Sequence, residues 1–427
     1  MGQGVLTSGF ARVDGVLSCE GVPLERIAAD AGTPAYVYSA SVVRNRYRRL
    51  DSALGSLPHR IHYTLKANSN RAILGLLREL GAGVDVVSGG ELHRAKRAGF
   101  RGDQIIFGGV GKSPRELREA LEAGVLLINV ESLEEIRLLD AIAGELGVTA
   151  PVGIRVNPEV TVDSSHRYIK TGEKGAKFGI PFDEVLGAAR VAASLPHTRL
   201  CGLDMHIGSQ LFRLDPYIDG TEKLIELLGT LTGEGVSTLQ YLDIGGGLGV
   251  SYDDEQSPDL DRFARALVPR VAPTGLTLLM EPGRFIVGNC GVLVTRVLYR
   301  KRSGGRTFLV ADAGMTELLR PSHYDAYHRI EPVTASTTEI TADVVGPVCE
   351  SGDFLALDRK MEDANAGDLL AVYDVGAYGY VMASNYNTRP RGAEILVDGD
   401  RYAIVTRRER YDDLVQLEQA DPDWKES

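Results

Sequence analysis

A lysine that closes an apolar segment can serve as a nucleophile, and Lys66 in IHYTLKAN is one. Burial disfavours an ammonium, so the apolar residues before it are expected to lower its pKa and free the amine. The plainer alternative is a stem packed on a rim with its charged end in water. Other spacings bear on that choice. Gly245-Gly246-Gly247 in DIGGGLG lets backbone N–H groups approach an anion, although a glycine triplet alone also makes a tight turn. Glu281-Pro282-Gly283-Arg284 puts a carboxylate at the end of the apolar run LTLLM, where an unpaired charge is costly. It can pair with Arg284 or with a protonated ring nitrogen. His206 and Ser209 share the segment MHIGSQ, the histidine suited to a hydrogen-bonded core position or to stacking on a planar ring.

The elements that carry these residues alternate. RIHYTLKAN, AGVDVVSGGE, QIIFGGVGK, VLLINVES, PVGIRVNPE, LCGLDMHIGSQ, LQYLDIGGGLG and LTLLMEPGR read as strands. Stretches such as RAILGLLREL and SLEEIRLLDAIAGEL, apolar at three and four, read as the helices between them. Strands alternating with helices imply a parallel sheet, and eight units over residues 36–290 fit a closed (β/α)8 TIM-type barrel. An open doubly wound sheet would want G-x-G-x-x-G after its first strand, where YTLKANSN stands instead. In such a barrel the reactive groups gather at the carboxyl ends of the strands. Lys66 follows strand one, Asp85 and Ser88 strand two, His206 and Ser209 strand six, the glycine triplet strand seven and Glu281 to Arg284 strand eight. That common face favours the nucleophilic reading of Lys66. It also favours a phosphate site at the loops after strands seven and eight.

Residues 291–427 change texture to β-rich runs with Gly and Asp turns, a second, mainly β domain that residues 1–35 can join. This part holds Arg320 and Tyr324 in RPSHYDAYH, Cys349 and Glu350 in GPVCESGD, and Tyr378 in GAYGY. Arg320, Tyr324, Glu350 and Tyr378 form a set able to grip a zwitterion through guanidinium–carboxylate pairing and hydrogen bonds, whereas Cys349 also fits a small buried residue beside a surface acid. The net charge of −11 argues against a nucleic-acid surface. No apolar run approaches membrane-spanning length, the amino terminus lacks a signal-peptide pattern, and four scattered cysteines offer no disulfide framework or zinc spacing. A cytoplasmic protein without a metal is expected. The segment 159–179, with several Lys and Gly, is expected to form a lid.

The chain resembles the fold-type III pyridoxal-phosphate decarboxylases, and among them the diaminopimelate decarboxylases. The matching segments run in order along nearly the whole sequence: YTLKAN, DVVSGGEL, KFG, HIGSQ, DIGGGLG, EPGR, DAGM, RPSHYDAYH, VVGPVCESGDFLA, GAYGY and SNYNTRPR. The resemblance implies pyridoxal 5'-phosphate carried on Lys66, with Asp85 beside it, His206 on the ring and Glu281 at the ring nitrogen. Ser209, Gly245, Gly246, Gly247, Gly283 and Arg284 would cradle the phosphate. Arg284, Arg320, Tyr324 and Glu350 would bind substrate, Tyr378 would touch both ligands, and Cys349 would donate a proton. It implies a homodimer with shared sites and decarboxylation of meso-2,6-diaminopimelate to L-lysine.

The nearest rival is a same-fold decarboxylase of ornithine, arginine or carboxynorspermidine. A distal cation asks for carboxylates, however, and the resemblance offers arginines and a tyrosine. An alanine-racemase-like enzyme places an arginine at the ring nitrogen, against Glu281. A non-catalytic relative would be free to lose Lys66.

Overall fold

The computed structural model describes residues 9–160, 175–252 and 257–425. The expected lid lies mostly in 161–174, outside the described residues. The chain divides into two compact units. One is Ala40–Cys290 with Gly376–Val381; the other takes the described residues of Met1–Ser39, Gly291–Val375 and Met382–Ser427.

The first unit is the expected barrel. Its strands are β1 His59–Thr64, β2 Gly83–Val86, β3 Ile105–Phe107, β4 Leu127–Val130, β5 Ala150–Asn157, β6 Thr198–Met205, β7 Tyr241–Asp243 and β8 Thr277–Met280. All pair in parallel with their neighbours, and Leu278, Leu279 and Met280 of β8 pair with His59, Arg60 and Ile61 of β1. That last pairing closes the sheet and excludes the open alternative. The helices are α1 Ala40–Leu54, α2 Arg71–Glu79, α3 Gly89–Arg97, α4 Pro114–Ala123, α5 Leu133–Leu146, α6 Val185–Ser194, α7 Asp215–Gly233 and α8 Leu260–Val271. Helix α1 precedes β1 and packs against both α2 and α8, so it fills the gap that an open ring of helices would leave.

Local sequence starts several helices on the mouth side. Ser88, Ser113 and Ser132 each accept the N–H of a glutamate three residues on, satisfying a helix-start donor before α3, α4 and α5. At Ser113 the glutamate reciprocates and Pro114 opens the helix, while Gly124 and Gly147 close α4 and α5 in left-handed conformation.

The barrel interior is stacked by the two-residue period of its strands. Ile106, Leu127, Cys201 and Leu279 form a buried apolar plug, with Tyr241 packed on it. Two residues further along the same strands come Asn129, Glu281 and Asp243, so a polar layer lies directly on the plug. Strand β6 reaches that layer by a different count, since Cys201 and Asp204 are three apart. A register shift between Leu200 and Gly202 supplies the odd residue, because without a bulge an odd step would turn the side chain to the other face.

The second unit is built on the long strand Gly291–Ser303. It pairs with Ala35–Ser39 and Leu369–Val372 at its start and Arg306–Ala311 at its end. Strands Glu339–Val345, Phe354–Glu362, Ala393–Asp398 and Arg401–Thr406 extend the sheet, and residues 10–23 add a small three-stranded sheet. Buried Val37, Val292, Val294, Ala371 and Ile395 form its core with Phe10, Leu17 and Val22. Among the described residues no helix is long and apolar enough to cross a membrane.

Candidate active site

The carboxyl ends of the strands bring Lys66, Asp85, His206, Ser209, the glycine triplet, Glu281, Gly283, Arg284 and Tyr378 into one unit. Lys66 is half-buried, with Nζ 3.3 Å from Oδ2 of fully buried Asp85. The expected lowering of its pKa is not what the structure gives. Burial does push the amine down, but the acidic groups around it, Asp85 first, outweigh burial and the pKa is raised. The residues before Lys66 in sequence are apolar; its neighbours in space are acids.

The glycine triplet is tight because other strand ends press on it. A Cβ on Gly245 would stand 2.3 Å from the Met205 carbonyl oxygen, and one on Gly246 2.1 Å from that of Glu281. Gly245 donates its N–H to Asp243 Oδ1 at 2.9 Å, and Gly246 donates to His206 Nδ1 at 3.2 Å. Tyr217 donates its hydroxyl proton to the Gly246 carbonyl. Part of the loop's backbone is therefore spent on holding the loop itself. An anion there also meets Ser209, whose Oγ lies 3.3 Å from Arg284 Nη2.

Because Gly246 donates to Nδ1, the proton of neutral His206 sits on Nε2. Burial, followed by the charges of Lys66 and Arg155, lowers its pKa well below the usual histidine range, so the ring stays neutral. Arg284, offered above as a partner for Glu281, turns its guanidinium to the Tyr252 hydroxyl at 2.7 Å and stacks 4.8 Å over the Tyr378 ring. Tyr378, which the sequence places among β-domain motifs, returns to the barrel unit and donates its N–H to the Ala67 carbonyl at 2.8 Å. It takes a left-handed φ of 58°, a costly conformation for a bulky residue and so a sign of a constrained position.

Sequence reasoning missed most of the layer beneath. One carboxyl oxygen each of Asp204, Asp243 and Glu281 lies within 4.8 Å of the others, all buried. Two full negative charges at that separation cost about 3 kcal/mol at an effective dielectric near 20, so the three cannot all be ionised at neutral pH. Burial comes first in raising Glu281 and Asp204 well above the carboxylate range, and Asp243 adds to both. Burial likewise raises Asp243 to about 7, against the Gly245 N–H, which lowers it. Arg155 pairs with Glu131 at 2.8 Å alongside. The signal was strand parity: Asp204 stands two residues before His206, and Asp243 two before Gly245.

Arg320, Tyr324, Cys349 and Glu350 belong to the second unit. Arg320 is buried and opens the short helix Arg320–Tyr324; Cys349 and Glu350 are exposed. Asp353, also missed, ties their loop down. Its carboxylate accepts the N–H groups of Met315 at 2.6 Å and Val348 at 2.5 Å, filling space against Gly314 and Gly346 that a larger residue would need.

The donor set fits pyridoxal phosphate: an amine for its aldehyde, a carboxyl sunk below the mouth for its ring nitrogen, a neutral imidazole for its ring, and Ser209 with Arg284 for its phosphate. Residues 40–288 match the family described as pyridoxal-dependent decarboxylase, pyridoxal binding domain. The chain is 48% identical over 406 residues to diaminopimelate decarboxylase of Pseudomonas aeruginosa, covering 95% of this chain and 97% of that protein. It is 45% identical over 412 residues to the enzyme of that name from Vibrio cholerae, covering 96% and 98%. The crystal structure of diaminopimelate decarboxylase from Helicobacter pylori complexed with L-lysine superposes with a TM-score of 0.89 at 39% identity, covering 92% of this chain and 99% of that one.

Proposed function

The chain belongs to the diaminopimelate decarboxylases, pyridoxal-phosphate enzymes of the pyridoxal-dependent decarboxylase family, and on that premise we propose how its residues divide the work. The reaction is loss of CO2 from meso-2,6-diaminopimelate to give L-lysine, the last step of lysine biosynthesis. Pyridoxal 5'-phosphate, when bound, supplies the electron sink for the pair left by the departing carboxylate.

Lys66 would hold the cofactor through its side-chain amine. Its ammonium, held by Asp85, must give up a proton first, and the neighbouring carboxylates are at hand to take it. Glu281 would pair with the ring nitrogen and favour its protonated form. His206, neutral and fixed by Gly246, would pack on the ring. Ser209, Gly245, Gly246, Gly247, Gly283 and Arg284 bind the phosphate. Arg284, Arg320, Tyr324 and Glu350 hold the substrate's distal end, arginine pairing with carboxylate. Tyr378 contacts both ligands, and Cys349 returns a proton to the α-carbon. Cys349 and Glu350 serve the active site of a second copy, so the working form is a homodimer. Four thiols without a disulfide suit a reducing compartment, the cytoplasm.

The observation that carries this reading is the convergence of Lys66, Asp85, His206, Glu281 and Arg284 on one barrel mouth. CO2 release from diaminopimelate, ornithine, arginine and carboxynorspermidine, measured for wild type and Lys66→Ala, tests it. Wild type should prefer diaminopimelate, and the variant should lose both turnover and the absorbance of lysine-linked cofactor. Release from ornithine but not from diaminopimelate would overturn the substrate, and an unchanged spectrum in the variant would overturn Lys66.

A further inference from the structure

Asp204 and Asp243 have no task in the scheme above, yet they sit in the driest part of the site. We propose that Asp204, Asp243 and Glu281 together retain a proton in the cofactor-free site and give it up when the cofactor's ring cation comes to lie beside Glu281, with Asp204 and Asp243 as positioning residues that keep that proton on the cluster until then. The inference rests on the reading of Glu281 as the residue facing the ring nitrogen.

Geometry carries it first. The three carboxyls approach within 4.8 Å, from β6, β7 and the end of β8, above an apolar plug that admits no counter-charge. Around them stand Asp85 and Glu131, and the cations Lys66 and Arg155. Those cations are engaged, Lys66 with Asp85 at 3.3 Å and Arg155 with Glu131 at 2.8 Å. Carboxyl groups thus outnumber cations in this layer, and protons must make up part of the difference. A metal ion entering instead would meet the positive charge of Arg155 and Lys66.

Hydrogen bonding carries it second. Asp243 Oδ1 is occupied by the Gly245 N–H at 2.9 Å. Asp243 Oδ2 and Asp204 Oδ1 are buried with no well-formed hydrogen bond among the described residues, and the Asn129 and Glu281 side chains stand within hydrogen-bonding reach of Asp243. Buried oxygens in that state are costly, and a proton on the cluster supplies the missing donor. Asn129 is neutral, so it can satisfy an oxygen without drawing the proton away. Burial raises all three acids, with Asp243 adding to Asp204 and Glu281 and with Asp85 adding to Asp243, in accord with a retained proton.

Pyridoxal 5'-phosphate in neutral water already carries a proton on its ring nitrogen and needs none from the protein. The proton held by the cluster leaves for solvent, and the carboxylate left on Glu281 faces the ring cation.

The experiment strips the cofactor, adds pyridoxal 5'-phosphate back, and counts protons exchanged by calorimetry in two buffers of different ionisation enthalpy at neutral pH. Protons released at Lys66 are common to all variants and cancel. Asp204→Asn/Asp243→Asn keeps shape and the Gly245 contact but removes two of the acids beside Glu281, so less proton is retained before binding. Its net proton uptake on binding should exceed that of wild type by up to about one per site, because it has less stored proton to release. If the double variant does not fold, Asp243→Asn alone should show a fractional excess. Equal counts in wild type and the folded variants overturn the proposal. Glu281→Gln separates the premise: if its bound-cofactor absorbance and proton count match wild type, Glu281 does not face the nitrogen and both readings fall. If Glu281→Gln alters the spectrum while the double variant takes up no excess, only the shared proton falls.

Discussion

Asp85 lies 3.3 Å from the Lys66 amine, and the pair sets the condition under which cofactor can attach. Burial lowers the lysine pKa, but the acidic groups around it, Asp85 first, more than restore it, so the amine is an ammonium at neutral pH. Attachment to an aldehyde needs the free amine. The rate of cofactor attachment to stripped enzyme should therefore rise with pH, towards the raised lysine pKa. Asp85→Asn removes the strongest of the raising charges, so its attachment profile should shift to lower pH. Absorbance at a series of pH values reads both profiles, and coincident profiles would show that Asp85 does not hold the proton. Nothing in IHYTLKAN foretells this, since the decisive carboxylates come from other strands.

Strand ends and turns act as units here, because each buried position on one strand presses on the next. Gly283 shows how tightly: a Cβ would stand 2.5 Å from Thr64 Cγ2 and 2.9 Å from Ala67 Cβ, on either side of Lys66. Gly283→Ala should push the end of β1 outward, costing about 1–3 kcal/mol as overpacked cores do. Thermal unfolding with and without pyridoxal 5'-phosphate should show the stripped protein mildly destabilised and the stabilisation by cofactor much reduced. A variant with wild-type melting and wild-type gain from cofactor would mean that the strand end yields freely. Much at this scale is legible in the chain. The S-x-x-E spacings at 88–91, 113–116 and 132–135 mark helix starts, and the two-residue step from Leu127 to Asn129 or Leu279 to Glu281 marks a change of layer. The bulge before Gly202 is not legible, because it depends on pairing with β5.

For the whole molecule, the proposed homodimer makes the active site a property of two chains. Lys66 and Cys349 fall in different structural units, and exposed Leu298, Tyr299 and Leu357 give the second unit apolar surface of the kind that interfaces cover. If sites are shared between copies, Lys66→Ala and Cys349→Ala homodimers should each be nearly inactive, yet regain activity when mixed and allowed to exchange. Random pairing makes half the dimers mixed, each with one intact site, so recovery should reach about a quarter of wild type. Activity that stays at the level of the separate variants, with exchange shown by sedimentation of tagged copies, would place Lys66 and Cys349 in the service of one chain.

The sequence by itself determined the barrel and the identity of the groups at its mouth, because strand and helix periods are local and the groups follow strand ends at fixed distances. Its motifs also determined the family. Tertiary structure decided which groups meet. It returned Tyr378 to Ala67, turned Arg284 towards Tyr252 and Ser209, and raised the pKa of Lys66. It also gathered Asp204, Asp243 and Glu281 from separate strands into one dry layer. Charge interactions depend on distance in space and on exclusion of water, and the linear order of residues fixes neither.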